Sequence, residues 1–108
     1  MRTHQEIDAR SLELHRLVAA RIRRDPALLE RVRLTLRRWR DPDDRSRADP
    51  YLAEWERLLD QGLEPLLATA VEDSERAATL RQCSPFTGIL SAKERHAFLK
   101  SWAADHAT

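Results

Sequence analysis

The sequence predicts an all-α fold, a single-domain bundle of about five helices that spans residues 1–108. Three observations support this class. Apolar residues make up 42% of the chain while only two residues are glycine, a balance that suits helices better than a turn-rich sheet. Apolar residues recur at three- and four-residue intervals, and helix-capping signals stand where these stripes begin. A chain of 108 residues is long enough for one hydrophobic core.

The first helix is predicted to begin after Thr3 and to end near Arg24. Thr3 and Glu6 have capping-box spacing, in which the hydroxyl and the carboxylate each satisfy a backbone amide. An apolar stripe follows at helical spacing and needs a partner to cover it. The residues expected on this buried face are Ile7, Leu14, Leu17, Val18 and Ile22.

Two Asp-Pro pairs predict the starts of the second and third helices. Proline suits the first helical position, and the preceding Asp25 or Asp49 is expected to cap free amides. Between these helices, the segment 41–49 has no large apolar residue and is predicted to be a mobile loop. The buried face expected for the second helix consists of Leu28, Leu29, Val32, Leu36 and Trp39.

The second half of the chain carries its own start and stop signals. Gly62 is expected to end the third helix, because glycine readily adopts the backbone of a C-terminal cap. Glu64 and Pro65 then open a fourth helix, and a kink or a new start is expected near Asp73. Helix resumes to about residue 82, and a second capping box, Ser91 with Glu94, opens the last helix.

The segment RQCSPFTGIL, residues 81–90, interrupts the helical pattern. Pro85 disfavours helix at the residue before it, and Gly88 permits a backbone shape that other residues resist. Phe86 and Ile89 are expected to point inward. The side chains expected to remain free to hydrogen-bond a partner are Arg81, Gln82, Ser84 and Thr87. The alternative is that Pro85 and Gly88 merely shape a tight interhelical turn.

Charge is divided along the chain, although the net charge is only +1. Residues 10–47 hold twelve arginines and six acids, whereas residues 48–82 hold eight acids and three arginines. This division indicates a nucleic-acid surface, an acidic partner, or two helical layers that pair with each other. The residues that carry the nucleic-acid alternative lie on the second helix: Arg31, Arg33, Arg37, Arg38 and Arg40. No recognisable helix-turn-helix accompanies them.

Catalytic and metal-binding patterns are weak. Arg10 and His15 match the arginine and histidine spacing of HEPN ribonucleases, but chance matches are expected among so many arginines. The histidines are dispersed and no phosphate-binding glycine loop occurs. We therefore expect no catalytic residues, no metal and no cofactor. A single cysteine, Cys83, favours a reducing, cytoplasmic location, and no apolar run reaches the length of a membrane span.

Nearly the whole chain resembles a family of small bacterial proteins whose genes lie beside nucleotidyltransferase-like toxins. The resemblance is carried by IDARSLELHRLVAARIRRDPALLERV and by YLAEWERLLDQGLEPLLATAVEDSERAATLRQCSPFTGILSAKERHAF, and it is sharpest at residues 72–96. It implies a type II antitoxin, a protein that binds a toxic enzyme and blocks it. It supplies no functional residues to transfer. Where the family's loop most often has serine this chain has Cys83, which argues against an essential thiol.

The function predicted from the sequence is non-catalytic neutralisation of a toxin whose cleft receives nucleotide or RNA. Acidic side chains of the third and fourth helices are expected to mimic phosphate in that cleft, while the arginines of the second helix serve autoregulatory DNA binding. The acidic residues concerned are Glu64, Glu72, Asp73 and Glu75. The alternatives are a nucleic-acid-binding regulator and a HEPN-like ribonuclease. The identity of the toxin and the oligomeric state stay open.

Overall fold

The computed structural model describes residues 3–43 and 47–107, and these residues contain α-helices but no β-strand. The helices are α1 (His4–Arg24), α2 (Leu29–Trp39), α3 (Asp49–Gln61), α4 (Leu63–Ala70), α5 (Glu75–Arg81) and α6 (Ala92–Asp105). A 3₁₀ turn, Pro26–Leu28, leads into α2. The predicted all-α class is confirmed. Six helices are described rather than about five because the new start expected near Asp73 is complete, with Ser74 capping α5 as a separate helix.

Both predicted capping boxes are present, whereas both predicted aspartate caps are wrong. Thr3 with Glu6 and Ser91 with Glu94 form reciprocal hydrogen bonds at the starts of α1 and α6. Asp25 makes no side-chain cap hydrogen bond. Asp49 is itself the first residue of α3, and its carboxylate accepts hydrogen bonds from the Arg40 guanidinium instead.

The predicted loop at residues 41–49 is shorter in the structure, because its last residue begins α3. Residues 42–43 and 47–48 form turns. Residues 44–46 lie outside the described part of the chain, so the expectation of mobility at the middle of the loop stays a prediction.

The buried face of α1 is rotated relative to the predicted one. Ile7 and Leu17 are 41% and 36% exposed, and Leu14 is half-buried. The residues that α1 buries are Leu12, His15, Val18, Ala19 and Ile22. They also recur at three- and four-residue intervals, but one of them is histidine and another is alanine, so a search for large apolar side chains selects the neighbouring stripe.

The core is centred on Trp55 of α3. Its side chain is fully buried, and its indole N–H donates a hydrogen bond to the carbonyl oxygen of Leu80 at 2.9 Å. Phe86, from the segment between α5 and α6, meets the Trp55 ring edge to face at 5.3 Å between centroids. Other fully buried side chains are Ile22, Val32, Leu36, Leu66 and Leu67. Each such side chain contributes about 1.5–3 kcal/mol of stabilisation through burial.

The last helix, α6, lies beside α1 and apart from this core, since none of its residues is buried and none packs against the core cluster. Phe98 and Trp102 are half-buried and stack on each other. An ion pair between Arg21 and Glu94 joins α1 to the start of α6. An open cavity of about 470 Å³ lies between α1 and α6. Its lining includes Leu12 and Trp102.

Several charged side chains of the basic half form ion pairs with side chains of the acidic half. Arginines of the basic half pair with acids of α3 and α4: Arg23 with Glu64 at 3.2 Å, Arg33 with Asp60 at 3.5 Å, and Arg40 with both Asp49 at 3.0 Å and Glu56 at 3.2 Å. These pairs are partly exposed, and each contributes about 0–1 kcal/mol. The interpretation that two helical layers pair with each other is therefore correct for these residues. Within the described residues, no helix has the length and apolarity needed to cross a membrane.

Candidate functional site

The irregular segment 81–90 is fastened to α1 through His15. The ring Nδ1 lies 2.7 Å from the carbonyl oxygen of Ser11, and Nε2 lies 2.8 Å from the Ser84 hydroxyl oxygen. Because a carbonyl can only accept, the proton is assigned to Nδ1, and Nε2 accepts a hydrogen bond from Ser84. Phe86 packs against the same ring edge to face at 5.7 Å. We call the pair of His15 and Ser84 the clasp.

The pKa of His15 is lowered to about 4, mainly by burial and also by the nearby positive charge of Arg81, against an opposing hydrogen bond to the Ser11 backbone. The imidazole is therefore neutral at physiological pH. A serine hydrogen-bonded to a histidine is the arrangement that activates serine nucleophiles. A histidine with a pKa near 4 is, however, a weak base at neutral pH, and this ring is only 5% exposed. We interpret the clasp as a structural connection.

An open pocket of about 550 Å³ lies beside the clasp, between α1, the end of α2, the start of α3 and segment 81–90. This volume falls within the range of small-molecule sites. The pocket wall is mainly apolar and includes Leu14, Val18, Trp39, Leu52, Phe86 and Leu90. Among residues 3–43 and 47–107, its charged lining residues are Arg81 and Arg95, and no acidic side chain lines it.

Arg81 is not free, and the expectation that its side chain stands unengaged at the surface is wrong. The side chain is buried, with 5% of the residue exposed. Nη1 donates to the carbonyl oxygens of Ala70 at 3.3 Å and Glu72 at 2.8 Å, which need donors because they lie at the end of α4 and just beyond it. Nε is buried without an acceptor. Desolvation lowers the pKa of Arg81, yet a guanidinium keeps its charge at neutral pH.

The other predicted side chains of the segment divide into two groups. Gln82 and Thr87 are exposed and border the pocket, as a partner contact requires. Ser84 is engaged in the clasp, so the expectation that it is free is also wrong. Phe86 and Ile89 point inward as predicted, with both side chains buried.

The structure also defines the backbone of Gly88 and the environment of Cys83. Gly88 does not use the backbone freedom of glycine, since the only glycine with a positive φ is Gly62, at 125°. The turn at Gly62 therefore depends on glycine, whereas the turn at Gly88 does not. Cys83 is half-buried, and desolvation raises the pKa of its thiol, which keeps it protonated and poorly reactive.

An acidic turn, defined here as Glu72, Asp73 and Glu75, connects α4 to α5 and is exposed. Ser74 organises it, because its hydroxyl accepts from the Ala77 amide at 3.1 Å and donates to the Glu72 carboxylate. Neither Asp73 nor Glu75 forms an ion pair with a described residue. The fourth predicted acid, Glu64, lies apart from this turn in an ion pair with Arg23.

Most of the arginines predicted for the second helix already have hydrogen-bonding or ionic partners, and Arg40 directly follows the last residue of α2. Arg31 donates to the carbonyl oxygen of Gly88 at 3.4 Å, while Arg33 and Arg40 form ion pairs with acids. Arg37 and Arg38 are exposed and have no hydrogen-bonding or ionic partner among the described residues. The basic face available to nucleic acid is therefore smaller than the sequence predicts.

The ribonuclease alternative has a poor geometric basis. His15 is buried in the clasp, its second nitrogen is held by Ser11, and Arg10 makes no hydrogen bond to it. A base that must reach an RNA hydroxyl needs an accessible nitrogen.

Among residues 3–43 and 47–107, no group of three or more His, Cys, Asp and Glu side chains is arranged to hold a metal ion. The chain matches no protein-family model, no curated protein and no solved structure. The function is therefore inferred from the geometry of the pocket, the clasp and the acidic turn.

Proposed function

We propose that the protein is a non-catalytic, antitoxin-like binding protein, and that its acidic turn enters the basic cleft of a partner toxin that handles nucleotide or RNA. One observation carries the proposal. Acids of α3 and α4 such as Glu56, Asp60 and Glu64 pair with arginines of the same chain, whereas Asp73 and Glu75 stay exposed and form no ion pair with any described residue.

The acidic turn fits a positively charged, concave surface. Its three carboxylates lie within four residues and are presented by a turn whose backbone is fixed at both ends, by the Arg81 hydrogen bond to Glu72 and by the Ser74 cap. Clustered charge of one sign steers association with a surface of opposite sign and selects against other partners. A cleft built for phosphate groups offers such a surface, and the resemblance to antitoxins supports the same class of partner.

Part of this acidity has a local role as well. Acidic residues near the first turn of a helix are stabilised by its dipole, and Glu75 is the first residue of α5. This local effect accounts for an acid at Glu75. It does not require three acids within four residues, and we assign the excess charge to recognition.

The test is co-expression with the toxin-like product of the adjoining gene, followed by measurement of growth and of affinity between the purified proteins. The double charge reversal of Asp73→Lys and Glu75→Lys is expected to abolish rescue of growth and to weaken binding by at least about tenfold. The matched control reverses two exposed acids elsewhere, Asp25→Lys and Asp105→Lys, and is expected to leave rescue intact. The affinity of the unmodified protein is expected to fall as salt increases.

The opposite pattern would contradict the proposal. If the complex persists unchanged in high salt and tolerates reversal of the acidic turn as well as it tolerates the control, the acidic turn is not the contact. A shift of upstream DNA by the free protein, lost in Arg37→Gln with Arg38→Gln, would favour the nucleic-acid-binding alternative instead, because these are the two unengaged arginines of α2.

A further inference from the structure

The apolar pocket beside the clasp is not used by the proposed contact with a toxin. It combines a mainly apolar wall and a volume of about 550 Å³ with two lining arginines and, within the described part of the chain, no acidic lining residue. We propose that this pocket binds a small monocarboxylate with an apolar body, whose carboxylate is attracted by Arg81 and whose body lies against Trp39 and Leu90. The proposal does not depend on the identity, or the existence, of a toxin partner.

Arg81 supplies the positive charge that attracts the carboxylate. Buried arginines are normally paired with a carboxylate, because an unpaired cation loses its hydration without compensation. Arg81 is 5% exposed and forms no ion pair with a described residue; Nη1 is held by two neutral carbonyls, and Nε has no acceptor. Asp8, Asp73 and Glu72 act on this charge only from longer range. A carboxylate in the pocket, reached by a small shift of the guanidinium group, would supply both the opposite charge and the missing acceptor.

The rest of the lining selects the kind of anion. Leu14, Trp39 and Leu90 are half-buried, and they offer apolar surface that a hydrated inorganic anion cannot use. His15 is neutral, and Arg95 is exposed, so Arg81 is the one buried cation of the lining. A single guanidinium fork matches one carboxylate in charge and in shape. The chemistry therefore favours a fatty or aromatic monocarboxylate over a phosphate ester.

The first experiment compares three probes of equal chain length, sodium decanoate, decanol and decylamine, by calorimetry and by amide and indole NMR shifts of the full-length protein. Decanoate is expected to bind at least about tenfold more tightly than decanol, which corresponds to one charge-assisted hydrogen bond, and decylamine is expected to bind least. Shifts are expected at the Trp39 indole and at Thr87, both of which border the pocket.

A matched pair of variants tests the charge dependence without disturbing Arg81. Thr87 is exposed at the pocket rim, and Thr79 is exposed on α5 away from it. Thr87→Glu is expected to weaken decanoate about tenfold and to leave decanol unchanged, because only the anion is repelled. Thr79→Glu introduces the same charge outside the pocket and is expected to alter neither affinity.

Each result of these binding measurements either supports the monocarboxylate proposal or overturns it. Equal binding of decanoate and decanol would show an apolar cavity without charge selection and would overturn the proposal. Failure of all three probes to shift Trp39 and Thr87 in a protein that unfolds cooperatively would overturn it as well. Arg81→Met, which removes the cation but keeps the stem of the side chain, is expected to abolish the preference for decanoate. If that variant does not fold, the two threonine variants still decide the question.

Discussion

Segment 81–90 and helix α6 stand next to each other in the chain and differ in an instructive way. The segment has little regular structure, yet it buries Pro85, Phe86 and Ile89 and is clasped to α1 by His15. Helix α6 is regular over fourteen residues and carries a full capping box, yet it buries none of them. Regular backbone and tertiary order are thus separate properties here. Local capping defines α6, whereas side-chain contacts from distant parts of the chain define the segment.

The largest expected difference between the two regions follows from truncating one aromatic side chain in each. Phe86 lies between the rings of Trp55 and His15. Phe86→Ala is therefore expected to lower the free energy of unfolding by about 3–5 kcal/mol, through lost burial and the cavity left behind. Trp102→Ala in α6 is expected to cost only about 1–2 kcal/mol, since the side chain is half-buried and its indole N–H already lacks a partner. Urea unfolding followed by far-ultraviolet circular dichroism measures both values.

Equal losses in these two variants would contradict the distinction between the regions. Circular dichroism is the suitable signal because it follows the helices of the whole chain, whereas fluorescence would be altered directly by removal of a tryptophan. A lower slope of unfolding free energy against urea in Trp102→Ala alone would indicate that α6 separates before the core unfolds.

The next expected effect is a pH dependence that originates at the clasp. The pKa of His15 is about 4 in the folded protein and near 6.5 in the unfolded chain, so the unfolded chain binds more protons between these values. The contribution of His15 to stability is present in full above pH 6.5 and is lost as the pH falls towards 4, a loss of about 3 kcal/mol in total. Urea unfolding at a series of pH values measures it.

Two histidine variants separate this effect from general acid unfolding. His15→Gln keeps a hydrogen-bonding side chain but removes the titrating group, so its stability is expected to vary much less between pH 6.5 and 4. His96→Gln changes an exposed histidine of α6 and is expected to retain the full pH dependence. If His15→Gln shows the same pH dependence as the unmodified protein, then the clasp is not its source.

The sequence was sufficient to predict the helices but not the clasp or the pocket. Capping boxes, Gly62 and the start near Asp73 are local signals, and the structure confirms each of them. The clasp joins residues 69 positions apart, and nothing in the sequence near Ser84 specifies His15 as its partner. The predicted apolar stripe did not include His15 because histidine is counted as polar, although a neutral imidazole with both nitrogens bonded is readily buried.

The charge pattern likewise did not predict which residues contact each other. A count of charges along the chain identified a basic half and an acidic half, but it could not say which side chains would pair. Arg33 and Arg40 form ion pairs with acids of α3, whereas Asp73 and Glu75 form no ion pair with a described residue. Arg81 was expected at the surface for the same reason: the need of carbonyl oxygens at the end of α4 for a donor is a property of the folded backbone.

The smallest expected effect is at Gly88, and it tests whether segment 81–90 is held by contacts or by backbone geometry. Gly88 has no positive φ, and a Cβ built on it meets no atom within 4 Å. Gly88→Ala is therefore expected to change the free energy of unfolding by less than about 0.5 kcal/mol or to stabilise slightly, because alanine restricts the unfolded chain.

Gly62 is the matched control: its Cβ would also meet no atom, but its φ of 125° strains any other residue. Gly62→Ala is expected to cost about 1–3 kcal/mol. Since space is equal at the two positions, unfolding measurements on this pair isolate backbone conformation, and a loss at Gly88 as large as that at Gly62 would mean that the segment depends on its glycine and not on Phe86 and the clasp.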